Sequence, residues 1–369
     1  LNKDLQNRPT TICAQAIHPP GSGDQAGIAL LIVLWVLVLL SVIAGEFSYT
    51  MTNQVRMVSN FKESAQAYYM SVGGVNQAIY HLLQAEAMRQ RAPGSDSKLK
   101  DEQLSNQLWP INGQIGPIVF DDQGYVKILI ENEGGKVDIN QADEKLLRIL
   151  MDAFKIDEDR KNIIVDSILD WRDENDLHRA NGAENDYYAS LPEPYNCRNG
   201  DFQAKNELLL VRGITKQLYY GGLHELVTVL PETQKQAPGL GGLLQMMSNT
   251  GKTGSRARGS GGKININAVS LRLLQAFPDI SAATVEAVEA YRQTRDIRSV
   301  SELGEVVDGG QLEMLRSHFT ADPLPYYRIW AMGYTHNHIS ETVEVLVNIN
   351  PGQNGDQPYE ILEWNDSVI

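Results

Sequence analysis

Cysteine is nearly absent from this chain. Its 369 residues hold only Cys13 and Cys197, which excludes a disulfide framework and a cysteine-rich zinc site. Positive charge is in the minority too: 32 Lys and Arg stand against 46 Asp and Glu, a formal charge of −14. So acidic a chain repels phosphate backbones, and no nucleic acid is expected as its partner. The marks of common catalytic machinery are missing as well. There is no G-x-S-x-G, no H-E-x-x-H and no P-loop. The seven histidines are scattered, and His336 and His338 share one strand face with no third ligand close by in sequence. Cys197 lies in a proline-containing loop and reads as a bystander thiol. No enzymatic activity is expected.

What the chain does have is one long uncharged run. Residues 26–45, AGIALLIVLWVLVLLSVIAG, carry no ionisable side chain. At 1.5 Å per residue they span about 30 Å, the hydrocarbon thickness of a bilayer. The run is apolar on every face, unlike a surface helix of a soluble core. It also lacks the small-residue cleavage site of a secretory signal at its end. It continues without proline to residue 91, and Val55, Val58, Ala65, Tyr68, Val72 and Val75 recur at helical spacings. One helix is therefore expected to leave a membrane and lay an apolar face on a soluble core, until Pro93-Gly94-Ser95 stops it.

Beyond Pro110 the pattern changes. Residues 118–120 and 125–130 read as a hairpin around Asp121, Asp122 and Gly124. Residues 326–332, 341–349 and 359–364 read as further strands, with Thr342, Val343, Val345 and Val347 supplying β-branched content. Between the two strand groups the period is helical, best over 145–154, 160–171, 271–277, 282–294 and 311–319. The economical architecture is α+β: a small antiparallel sheet packed on the long helix and interrupted by a helical insertion over 136–322. The insertion repeats itself. Gly135-Lys136-Val137-Asp138-Ile139-Asn140 precedes one apolar helix, and Gly262-Lys263-Ile264-Asn265-Ile266-Asn267 precedes another. In each copy the asparagine is placed to cap the helix that follows. Between the copies, residues 233–262 are rich in Gly, Ser and Gln and read as a linker.

One constellation suggests a ligand. Asp170, Asp173, Asn175, Asp176, Glu184 and Asp186 fall within a short stretch, and calcium takes roughly six to eight oxygen ligands. The spacing is not that of an EF-hand. Asp173, Asp176, Glu184 and Asp186 are the principal candidates, with Asp170 and Asn175 beside them; which coordinate and which cap helices stays open. Asn196 and Asn199 are candidates for a second site.

Gly27-Ile28-Ala29-Leu30-Leu31-Ile32-Val33-Leu34-Trp35 resembles a type IV pilin-like N-terminus. Asp170-Trp171-Arg172-Asp173, Gly182-Ala183-Glu184-Asn185-Asp186-Tyr187-Tyr188, Gly213-Ile214-Thr215 and Lys263-Ile264-Asn265-Ile266-Asn267-Ala268 are similar to the K-type minor pseudopilins of type II secretion. That resemblance implies a leader, residues 1–27, cut after Gly27 by the prepilin peptidase, with methylation of Ile28. It implies a pilin-like helix over 28–92 and β-regions over 93–135 and 323–369. It also implies two SAM-like subdomains, near 136–232 and 263–322, and calcium in the insertion. Most pilins carry a glutamate where this chain has Ile32. A buried carboxylate needs a partner from the next subunit, so an apolar residue there suits the tip of a filament. I-type and J-type minor pseudopilins and other pseudopilus subunits are the implied partners, the apolar helix face the implied contact, and the inner membrane the implied site. Residues 1–27 set Lys3 and Arg8 against Asp4 and Asp24, which departs from the family's basic leaders. The alternatives are another minor pilin of type IV pili and, from the paired short helices, a membrane-anchored helix-hairpin-helix DNA-binding protein.

Overall fold

The computed structural model describes residues 23–89, 109–110, 112–120, 123–230, 263–349 and 357–366. Most of the expected leader and the expected linker at 233–262 lie outside the described residues. The chain divides into two compact units, Leu1–Glu63 and Ser64–Ile369.

In the first unit the described residues belong to helix α1, Gly23–Arg89. Every side chain from residue 28 to 62 is exposed, including Ile28 at 62% and Ile32 at 56%. From Ile28 onward this helix is long and apolar enough to cross a membrane, and its apolar stretch is unburied. Leucine, isoleucine and valine on all faces fit a single-pass membrane anchor.

The second unit opens with the remaining turns of α1. There Ala67, Met70, Val75, Ala78, Ile79 and Leu82 become buried. They meet a five-stranded antiparallel sheet of order β1-β2-β7-β8-β9. Its strands are β1 (Gly113–Phe120), β2 (Gly124–Asn132), β7 (Tyr326–Thr335), β8 (Ser340–Ile349) and β9 (Tyr359–Asn365). Alternation puts Val126, Ile128 and Ile130 of β2, Ile329 of β7, and Val343 and Val345 of β8 on the helix side, each at 0% exposure. Gly333 explains how close the helix comes: a Cβ there would lie 2.1 Å from the carbonyl of Ala67. The Ser71 hydroxyl accepts from the Gly333 N–H at 2.8 Å and donates to the Glu341 carbonyl at 2.8 Å, so α1 supplies a rung of the ladder.

β2 and β7 pair directly, Ile128 with Ala331 and Ile130 with Ile329, although nearly two hundred positions of sequence part them. That intervening chain forms a second apolar core of its own. It holds two copies of one frame. In the first, β3 (Val137–Asp138) pairs in parallel with β4 (Val227–Thr228) around α2 (Glu144–Asp152), α3 (Glu158–Arg172) and α4 (Asn185–Ala189). In the second, β5 (Ile264–Asn265) pairs in parallel with β6 (Phe319–Thr320) around α5 (Leu271–Gln275), α6 (Ala282–Thr294) and α7 (Gly309–His318).

The expected helix caps need correction. Asp143, Asp157, Ser270, Ser281 and Asp308 cap α2, α3, α5, α6 and α7. Asn140 and Asn267 do something else. Asn140 clamps Phe202, accepting its N–H at 2.8 Å and donating to its carbonyl at 2.9 Å. Asn267 clamps Ile297 in the same way, at 2.9 and 2.8 Å. A carboxamide carries donor and acceptor side by side, so it can replace a strand partner for one residue, which a cap position does not need.

Candidate metal centre and helix face

α3 ends in the acidic stretch. Its apolar face buries Ile164, Val165 and Ile168, while Asp170, on the opposite side of the helix, is 0% exposed because the loop through Arg179 and Gly182 closes over it. Asp173 follows as the residue that ends the helix, and Glu184 stands just before α4 at 1% exposure. One carboxylate oxygen from each of Asp170, Asp173 and Glu184 lies within 4.8 Å of the others. Asp170 accepts the Arg179 N–H at 3.0 Å and faces its guanidinium Nε at 3.4 Å. Both oxygens of Glu184 are buried and receive no N–H or hydroxyl donor; only the weakly donating Cys197 thiol lies against this carboxylate. Gly182 lets the loop close on this cluster, since a Cβ there would fall 1.8 Å from Asp170 Oδ2.

The electrostatics follow from that crowding. Burial, then the negative charges of Asp170 and Asp173, push the Glu184 carboxyl up to about 7. Burial also raises Asp170, with Arg179 acting in the opposite direction. Converging carboxylates with a buried member that receives no strong donor form a cradle for a hard divalent cation, whose oxygen preference matches this donor set. The residues present fit calcium.

Of the other expected ligands, Asn175 is bonded to Asp173 of the cluster, and Asp176 and Asp186 make other contacts. Asn175 donates to Asp173 Oδ1 from its backbone at 3.1 Å and its side chain at 2.6 Å, and its own oxygen receives Leu177 N–H at 2.8 Å. Asp176 is exposed and takes Asn185 Nδ2 at 2.7 Å and Asn199 Nδ2 at 2.8 Å. Asp186 is exposed and receives its neighbour's N–H, from Tyr187. Their oxygens brace the loop. Asn199 adopts φ 48°, a left-handed conformation that asparagine tolerates, while Asn196 is exposed. Cys197 is more than a bystander in space. It is 7% exposed, its thiol abuts Glu184, and burial pushes it up to about 12. Nothing in the spacing of Cys197 signalled that contact, because the chain turns back only after α4.

The expected partner face of α1 divides between the units. Val55 and Val58, in the first, are exposed at 66% and 68%. Tyr68 and Val72, in the second, are half-buried against the chain's own sheet core, and Ala65 is also half-buried. Val75 is 1% exposed and is corrected to a core residue: it has no surface left to offer. Gly27 and Ile28 lie inside helix α1.

Residues 126–232 match the family model described as type II secretion system (T2SS), protein K. Over these residues the chain is similar to protein K of type II secretion. The matched stretch begins in β2 and covers the whole first copy of the inserted frame, the acidic cluster included. Among curated proteins, the type II secretion system protein K of Pectobacterium carotovorum subsp. carotovorum is 28% identical over 202 residues, 53% of this chain and 60% of that protein. The protein K of Aeromonas hydrophila is 24% identical over 221 residues, 54% of this chain and 62% of the relative. A putative protein K of Escherichia coli (strain K12) is 26% identical over 227 residues, 58% of this chain and 65% of the relative. The matches thus span less than two thirds of these relatives' length. In fold, the chain is similar to a chain of the crystallised GspK-GspI-GspJ complex from the type 2 secretion system of enterotoxigenic Escherichia coli. The TM-score is 0.52 at 16% identity, over 86% of this chain and 100% of that one. The long helix, the antiparallel sheet and the helical insertion are that α+β fold.

Proposed function

We propose that this protein is a minor pseudopilin that forms the tip of a type II secretion pseudopilus and supports protein export across the outer membrane. The observation that carries it is a stretch similar to protein K inserted into the sheet of a pilin-like fold, behind an apolar helix. Ile32 favours the terminal position: an apolar side chain there asks for no amine from a subunit above. Partners of the I and J type are inferred from the complex in which the similar chain was crystallised. Of the expected face, Val55 and Val58 are exposed and free to meet them. The inner membrane would hold the helix before assembly, with the soluble domain in the periplasm, and the role calls for no enzymatic step.

In this reading Asp170, Asp173 and Glu184 hold calcium, with Cys197 against the back of Glu184. Bound there, calcium would add positive charge beside Asp173 and Glu184, where Arg179 faces only Asp170. Asp170, Asp173 and Glu184 bring the end of α3 to the start of α4, and calcium held by them would link the two.

Mass spectrometry of the membrane-extracted protein tests the class: a mature chain starting at methylated Ile28 is expected, and an N-terminus that keeps residues 1–27 would sink the pilin reading. Co-purification with I-type and J-type subunits, weakened by Val55→Glu with Val58→Glu, tests the contact. The acidic surface argues against the DNA-binding alternative, and a gel shift at low salt should show no complex.

A further inference from the structure

The second unit contains two separate apolar cores, one between α1 and the sheet and one within the insertion. Where insertion and sheet meet, the contact is polar. Asn132, 1% exposed, ends β2. Its Nδ2 donates to the carbonyls of Leu324 at 2.6 Å and Tyr326 at 3.2 Å, on the chain returning from the insertion. Its Oδ1 accepts the N–H of Gly134 at 3.1 Å, on the chain going in, and that of Leu324 at 3.2 Å. One carboxamide therefore ties the two connections together. A Cβ at position 134 would sit 2.7 Å from that oxygen, so the incoming chain has room only as glycine.

Glu133 follows at 0% exposure. It pairs with Arg328 of β7 at 3.1 Å and with Lys136 of the insertion at 2.8 Å. Arg328, 5% exposed, continues to Glu344 of β8 at 2.6 Å and Glu363 of β9 at 3.0 Å. Lys136 reaches Glu131 at 3.2 Å and lies over the Trp330 ring at 5.7 Å. Burial pushes the Glu133 carboxyl up, but Lys136 and Arg328 more than offset it and hold it at about 2. Beside the joint is an open cleft of about 830 Å³, walled by Phe202, Val229 and Leu230 of the insertion and by Leu346 and Leu362 of the sheet.

Apolar packing is non-directional and would leave the angle between the two bodies loosely set. Hydrogen bonds and a forked guanidinium are directional. Buried ion pairs of this sort often contribute little net stability, because desolvation offsets their attraction. A polar contact between bodies with separate cores is also where relative motion is the default. We propose that Asn132 and the Glu133–Arg328–Lys136 cluster set the angle of the insertion on the sheet, and that the neighbouring cleft is the room into which the insertion swings when this hold is loosened. The inference rests on the joint alone and is independent of the secretion role.

Amide hydrogen exchange on the full chain in detergent tests it. Glu133→Leu with Arg328→Met removes the charges together, so neither is left buried alone. Asn132→Ala cuts the tie separately. Exchange across residues 132–136, 322–326 and 198–203 should speed by about tenfold or more, while the interiors of α3 and β8 keep their rates. Unchanged rates at the joint in both variants overturn the proposal. So does uniform acceleration of both bodies, or failure of both variants to fold, since either makes the cluster a source of stability and not of angle.

Discussion

The two copies of the inserted frame share their internal bonding and differ in one loop. In the first, Arg172 donates to the carbonyls of Ile139 and Ala142, both at 2.5 Å. In the second, Arg292 donates to those of Ile266 and Val269, at 3.4 and 2.7 Å. Ile139 N–H bonds the Thr228 carbonyl, and Ile266 N–H bonds that of Thr320. The Asn140 and Asn267 clamps correspond as well. Yet the chain between Arg172 and the clamped Phe202 occupies residues 173–201, whereas that between Arg292 and the clamped Ile297 occupies only 293–296. Asp173, Glu184 and α4 lie within that extra length, and they meet Asp170 at the end of α3. The frame therefore closes without the loop, and the loop brings carboxylates that the frame does not need. Dependence on a cation should be confined to the first copy.

The largest expected effect probes what the copies share. Asn140→Ala should cost about 3 kcal/mol, since it leaves a buried N–H and carbonyl of Phe202 unpaired; Asn267→Ala, at a less buried site, should cost about 2 kcal/mol. Denaturant melts of the full chain measure both, and a negligible loss at either position would break the equivalence. The next probes what they do not share. Removing calcium with EDTA should lower stability by about 2–3 kcal/mol at an ion concentration near 100 times Kd, and Glu184→Gln should abolish that response. If EDTA leaves the melt unchanged, the loop is a solvated acidic turn and the contrast between the copies loses its meaning.

A smaller effect comes from Asp138, whose side chain accepts the Asn140 N–H at 3.0 Å just as Asn265 accepts the Asn267 N–H at 2.8 Å. Burial pushes Asp138 up to about 6 from 3.8. An acid raised in the folded state binds its proton more tightly there than when unfolded. Its contribution is therefore favourable at low pH and is lost as pH rises from about 4 through 6. Asp138→Asn, which copies the second frame, should remove that slope and raise stability at pH 7 by on the order of 1 kcal/mol after solvent screening. An unaltered pH profile would count against the assignment. Smallest are the caps: Asp143→Ala and Ser270→Ala should each cost about 1 kcal/mol, and by similar amounts if the copies are equivalent.

Much of the fold was legible because its signals are local. The β-branched run Thr342, Val343, Val345 and Val347 lies in β8. The helices at 145–154 and 160–171 appear as α2 and α3, each beginning a residue or two earlier because Asp143 and Asp157 cap them. Asn140 and Asn267 were misread because a cap and a clamp look alike in sequence; Phe202, the partner of Asn140, is 62 positions away. The acidic candidates were visible as a group, but only Asp170, Asp173 and Glu184 converge. Val75 fits the helical period of a partner face and the period of a core equally well, and burial against the sheet decides between them.

By itself the sequence determined that an uncharged helix can cross a membrane, that a sheet is split by a repeated helical insertion, and that acids gather after α3. These follow from hydropathy and period, which act over a few residues. Only the tertiary structure decided which asparagines clamp, which carboxylates meet, and that Glu133 and Arg328 join insertion to sheet. Those choices depend on groups that become neighbours only once the chain has closed, when burial makes an unmatched donor or charge costly and a matched one specific.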